Sequence, residues 1–181
     1  SYERFLRNPR PKIVQVGWWL RRLTSIYRLP VRHHYQKIWL VTLPFVGARE
    51  HFHELIKADG GPVDCPNTKE VQQLSNHEYD RLLSENIAFA DLYDASANCT
   101  VVECLARATP LLINSHPAVV EYLGKDYPFY FGSLEEAAEK AMDFELICRT
   151  HLYLRSHPLR EHLSAEAFCQ SFATSSIYRA L

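Results

Sequence analysis

The chain has 181 residues, of which 47% are hydrophobic and 12% aromatic, and its formal net charge is −1. This length and apolar content suit one packed domain rather than a disordered segment. The near-zero charge excludes the strong basic footprint of a nucleic-acid binder. No apolar run approaches the roughly 20 residues that span a bilayer, no signal peptide opens the sequence, and the five scattered cysteines form no C-x-x-C pair. The expectation is a cytoplasmic protein with no transmembrane segment and thiols kept reduced.

Residues 1–11 are polar and basic with two prolines and read as a linker or truncated start, leaving 12–181 as the domain. Lys12 to Val16 is the first expected strand, ended by Gly17. A segment with Trp18, Trp19, Arg21, Arg22 and Arg28 follows. Lys37 to Leu43 is a nearly continuous apolar run, as for a strand buried on both faces. Arg49 to Ala58 has helical spacing and stops at Gly60-Gly61. Val71 to Leu74 reads as a short strand, and Ser75 to Ser84 as a helix with Tyr79, Leu82 and Leu83 on one stripe and Ser75 or Asn76 as N-cap. Ile87 to Tyr93 is a strand, Asn98 to Ala108 a helix, Pro110 to Asn114 a buried strand and Ala118 to Leu123 a helix. Tyr127 to Phe131 is a last strand, suited to an edge by Pro128. Ser133 and Glu136 open a long helix as a capping box. Terminal helices follow from Leu146, interrupted near Ser156-His157-Pro158. Strands alternating with helices imply right-handed parallel crossovers, hence an α/β, Rossmann-like three-layer sandwich with a mainly parallel sheet and C-terminal helices.

The chemistry concentrates between Asn86 and Gly124. Small polar residues from Ser96 to Thr100 follow a strand and start a helix, where uncovered backbone N–H groups and the helix dipole favour an anion. The same residues also serve as an ordinary N-cap. Glu103 has two readings as well. It closes a capping box if the helix starts at Thr100, and it is free for ribose hydroxyls if the helix starts at Ser96 or Asn98. Arg21, Arg22 and Arg28 offer guanidinium groups that match phosphate, although any single one reads equally as a solvated helix residue. No G-x-G-x-x-G or G-x-x-x-x-G-K-[ST] occurs, which argues against nicotinamide dehydrogenases and P-loop enzymes. His51-x-His53 and His33-His34 lack metal-ligand spacing on a helix, no H-E-x-x-H occurs, and no G-x-S-x-G elbow supports a hydrolase. His116 stands out because it follows a strand's carboxyl end, where ligands of open α/β sheets bind.

As an ordered series, NCTVVECLARATPLLINSHPAVVEYLG resembles the nucleotide-sugar-binding, C-terminal domain of GT-B glycosyltransferases. That resemblance runs from about Lys12 to Leu181 and includes the closing REHLSAEAFCQSFATSSIYRAL segment. It implies that Glu103 holds the donor ribose, that Ser96, Asn98, Cys99 and Thr100 meet the diphosphate, and that Gly17 with Arg21 or Arg22 lines the first loop. Asp94, His116 and Glu121 then lie toward the donor sugar. The implied substrate is a nucleoside-diphosphate sugar, with no metal or other cofactor. The implied partner is an N-terminal acceptor domain, without which the fragment would be inactive. The sequence departs from the pattern in two places. Trp18-Trp19 replaces the usual glycine–arginine pair, and Ala95 stands where the first glutamate of the E-x7-E motif belongs, with Asp94 one residue away. A non-catalytic Rossmann-like interaction or regulatory module is therefore the alternative, and a sugar-nucleotide epimerase would share the same donor site.

Overall fold

The strand segments are four residues long or shorter, and the central ones are largely apolar and buried, so they are stable side by side and covered from both faces, while Thr68–Val71 is polar and half exposed. A computed structural model, which describes residues 2–31, 35–41, 48–61, 67–95 and 98–179, shows that arrangement. Its strands are β1 (Ile13–Val16), β2 (Lys37–Leu40), β3 (Thr68–Val71), β4 (Ile87–Ala90), β5 (Leu111–Asn114) and β6 (Tyr130–Phe131). They form one parallel sheet in the order β3-β2-β1-β4-β5-β6. This is a Rossmann-like α/β sheet. Its order reverses between β1 and β4, which places a crevice at their carboxyl ends.

The helices are α1 (Tyr2–Arg7), α2 (Ser25–Arg28), α3 (Ala48–Ala58), α4 (Asn76–Ser84), α5 (Cys99–Arg107), α6 (Pro117–Leu123), α7 (Leu134–Met142), α8 (Phe144–Arg155), α9 (Ala165–Thr174) and α10 (Ser176–Arg179). A 3-10 turn at Pro158–Leu163 falls where the chain was expected to break. Trp39, Phe89, Ile13 and Ile87 are fully buried across three adjacent strands. Lys37 shares that face, and its ammonium donates to the carbonyls of Tyr27 (2.7 Å) and Leu29 (3.3 Å), at the end of α2. A cation at a helix C-terminus is favourably placed.

Several expectations are corrected. The segment read as a linker forms α1, whose Phe5 is 3% exposed and packs with Tyr2 against the His151 ring of α8. Its signal was weak because a single buried aromatic in six residues makes no periodicity. The strand expected at Val71–Leu74 is shifted to Thr68–Val71, so residues 72–75 form a loop. Only Tyr130–Phe131 of the last expected strand pairs. Tyr127 instead turns inward, its phenol accepting from the Leu111 N–H (2.9 Å) and donating to the Leu111 carbonyl (2.8 Å). The long helix from Ser133 splits at Asp143, whose side chain caps α8 by accepting from Leu146 N–H. Ser133 does cap α7, but Glu136 reaches the Gly132 N–H (2.7 Å).

Candidate functional site

The first loop begins at Gly17, held at φ 74°, a conformation that strains other residues. Its N–H donates to Leu40 and its carbonyl accepts from the Trp39 indole (2.9 Å), tying the turn to β2. The loop then crosses to the end of β4, where Arg21 and Leu92 form an isolated bridge and the Arg22 N–H donates to the Asp91 carbonyl. Just before the two arginines, Leu20 takes φ 59°. The arginines diverge.

Arg21 lies over Gly17, where an added Cβ would stand 3.6 Å from Nη1. Nη1 donates to the Trp19 carbonyl (2.7 Å) and Nη2 to the Thr100 hydroxyl (3.0 Å), in the first turn of α5. The residue is only 9% exposed, and its Nε has no hydrogen-bond partner. Burial pulls its pKa below the usual guanidinium value. A cation at a helix N-terminus opposes the dipole, and among the described residues no carboxylate pairs with this guanidinium. It borders a cleft of about 500 Å³ that also includes Gly17, Trp18, Gln73, Asn76 and Tyr79. Arg21 is the single charged residue of that lining among the described residues.

The start of α5 settles one ambiguity. Asn98 is the N-cap, its side chain accepting from Val101 N–H, and Cys99 and Thr100 already belong to the helix. Thr100 is therefore no N-cap, and Glu103 closes no capping box. Among the described residues, no hydrogen bond engages the N–H groups of Cys99 or Thr100. Glu103 is nevertheless engaged: one carboxylate oxygen accepts from the Tyr79 hydroxyl of α4. Arg107 sits 5.9 Å from the Tyr79 ring centroid and bonds Asp80 (2.9 Å) and the Glu103 carbonyl (3.2 Å). Thr100, Glu103 and Arg107 thus line one face of α5, with Arg21 and Tyr79 joining its first two members to the cleft.

The remaining expected residues are placed elsewhere. Arg22, expected to share the phosphate with Arg21, points instead into a second cavity of about 420 Å³ that includes Asn114, Ser115 and Ser133. Its Nη1 pairs with Asp91 (2.8 Å) and the Leu92 carbonyl (3.0 Å), and the other Asp91 oxygen accepts from Ser25 (2.6 Å). His116 caps α6 and lies 4.0 Å from Asp94, whose side chain is mostly exposed. Glu121 is exposed on α6, and among the described residues no hydrogen bond or ion pair joins it to Asp94 or His116. Ser96 lies outside the described residues. Among the described residues no group of three or more His, Cys, Asp or Glu side chains forms a metal-binding cluster, and no helix is long and apolar enough to cross a membrane.

Tyr79, Gln73 and Asn76 were not singled out as site residues. Tyr79 has the spacing of a core stripe, and Gln73 falls in the mistaken strand. A loop carrying Gln73 immediately before a capped helix was the one available signal.

No family model matches the chain, and a comparison with curated proteins finds no match. Among solved structures, a mutant O-GlcNAc transferase of Thermobaculum terrenum superposes with a TM-score of 0.59 at 12% identity, over 95% of this chain and 36% of that one. The glycosyltransferase SnogD of Streptomyces nogalater gives 0.45 at 11% identity, over 91% and 42%. A structure concerned with EarP-mediated arginine glycosylation of translation elongation factor EF-P gives 0.35 at 15% identity, over 99% and 63%. The first of these likenesses carries the comparison, and at that identity it is a likeness of fold. The chain has a glycosyltransferase-like fold and spans about a third of the length of that transferase.

Proposed function

We propose that this chain is the donor-nucleotide-binding domain of a GT-B glycosyltransferase. The observation that carries the reading is Arg21, a buried guanidinium at the start of α5 that borders a cleft to which the described residues contribute no countercharge. A diphosphate would satisfy it together with the free N–H groups of Cys99 and Thr100. The ribose would then lie at Glu103, one turn along the same helix face. The base would enter the neutral part of the cleft, between Trp18 and the amides of Gln73 and Asn76. Transfer would stabilise charge on the departing diphosphate through Arg21 and these backbone donors. The donor sugar would extend toward Asp94, His116 and Glu121, and the acceptor would come from an N-terminal domain across the cleft.

Calorimetric titration with UDP, GDP, ADP and inorganic pyrophosphate tests this reading. At least one nucleotide should bind, and Glu103→Ala should weaken it about 10- to 100-fold, the worth of a hydrogen bond to a charged group, while sparing pyrophosphate. Absence of binding by all three nucleotides would sink the proposal. One specific observation favours the non-catalytic alternative: Ala95 offers no carboxylate for the sugar, and Asp94 sits beside His116. If nucleotide binds but a nucleotide sugar gains no affinity over it, that alternative is the better one.

A further inference from the structure

We propose that Tyr79 is a specificity residue of the candidate donor site and that, together with Glu103, it forms a two-acceptor seat for the adjacent 2′ and 3′ hydroxyls of a ribonucleotide. This inference rests on the donor reading above and deepens it.

The argument starts from proton inventory. A phenol has one proton, and Tyr79 spends it on a Glu103 oxygen. Burial first, and then that hydrogen bond to Glu103, raise the phenol's pKa well above its ordinary value, so at neutral pH it remains a donor to the carboxylate. Its oxygen therefore keeps only accepting capacity toward any third group. Among the described residues, the other Glu103 oxygen has no protein hydrogen bond. Two acceptors thus stand side by side, one on each helix, where a lone carboxylate would otherwise provide both.

Two features hold the pair in place. Arg107 lies 5.9 Å from the Tyr79 ring centroid while bonding Asp80, the next residue of α4. Arg107 also donates to the Glu103 carbonyl, so both members are braced by the same guanidinium. Tyr79 lines the cleft and its hydroxyl bonds Glu103 of α5, so the pair connects the cleft to that helix. Two neighbouring acceptors match a cis-diol, whose hydroxyls can both donate. A 2′- or 3′-deoxy sugar leaves one of them desolvated and unpaired, and site groups left without a partner are what make such discrimination strong.

The test uses Tyr79→Phe, which keeps the ring beneath Arg107 and removes the hydroxyl. Whichever of UDP, GDP or ADP binds is titrated beside its 2′-deoxy and 3′-deoxy counterparts and inorganic pyrophosphate. The unsubstituted protein should prefer the ribonucleotide about ten-fold or more. Tyr79→Phe should reduce that preference to about three-fold or less and leave pyrophosphate unchanged. A merely structural role would weaken pyrophosphate and nucleotide alike, and that result overturns the inference. Tyr79→Met, which also removes the hydroxyl, provides a second variant with the same expected loss of preference should Tyr79→Phe fold poorly. Equal binding of ribo- and deoxynucleotides by the unsubstituted protein overturns the inference and leaves the donor reading standing. Absence of nucleotide binding overturns both.

Discussion

Arg21 and Arg22 are neighbours in sequence, yet they serve two differently built regions of the same sheet edge. Around Arg22 the polar groups satisfy one another: Asp91 takes Arg22 and Ser25, and Asn114 clasps Leu92 through both the N–H and the carbonyl of its backbone at 2.8 Å. Around Arg21 the opposite holds. Among the described residues its Nε has no partner, no hydrogen bond engages the N–H groups of Cys99 and Thr100, and no anion lines the cleft. Buried polar groups in folded proteins are nearly always paired, so the two regions differ in how completely their own groups satisfy one another. One region is closed by its own polar groups; the other is the region to which the proposal assigns a ligand.

The first way to break this contrast is Asp91→Ala. It strands the buried Ser25 hydroxyl and removes the only carboxylate facing Arg22 among the described residues, and Arg22 is half exposed, so part of the ion-pair loss is offset by water. The expected cost is about 3 kcal/mol of stability, measured by urea unfolding, with pyrophosphate affinity unchanged. A large loss of affinity at unchanged stability would mean that Asp91 belongs to the ligand site.

His151 sharpens the contrast from another side. It is a buried ring of α8 packed against Tyr2 and Phe5 of α1, and it lines neither cavity. Burial lowers its pKa from 6.5 to about 4. Above pH 6.5 both folded and unfolded states hold it neutral. As pH falls toward 4 the unfolded chain takes up a proton that the folded chain does not, and stability drops by about 2–3 kcal/mol across that window. His151→Phe should flatten that part of the stability-against-pH curve relative to the unsubstituted protein. An unchanged curve would show that the ring is hydrated in solution.

Much of the sheet was legible because the central strands are short apolar runs between helix signals, whereas the polar Thr68–Val71 has no such run and was displaced. The helix after β4 was legible for the same local reason, but its start at Asn98, rather than at Ser96 or Thr100, was not. What could not be read was orientation and apposition. Arg21 and Arg22 sit in an irregular loop with no period to assign them to opposite sides. Tyr79 matters only because α4 packs on α5, which brings residues 24 positions apart into one hydrogen bond. Phe5 shows the same limit, since its burial depends on a helix nearly 150 residues away.

Arg21→Met is the next smaller test. It relieves the cost of burying a cation but removes the hydrogen bonds to the Trp19 carbonyl and the buried Thr100 hydroxyl, so stability should fall by about 1 kcal/mol. Pyrophosphate affinity should fall about 10- to 100-fold. Retained affinity would move the anion site away from α5.

The smallest expected effect separates the turn from the guanidinium it supports. Gly17→Ala places a methyl at φ 74°, which costs about 1 kcal/mol in a left-handed conformation. The methyl meets Arg21 Nη1 at 3.6 Å, an ordinary contact, so nothing forces the guanidinium to move. Unfolding should show the lost stability, while titration should find pyrophosphate affinity within about two-fold of the unsubstituted protein, because the energy involved is backbone strain rather than a ligand contact. A ten-fold loss of affinity would place the anion directly over the Gly17 Cα, where only a glycine admits it. The glycine would then be a member of the site itself rather than the pivot that delivers Arg21 to it.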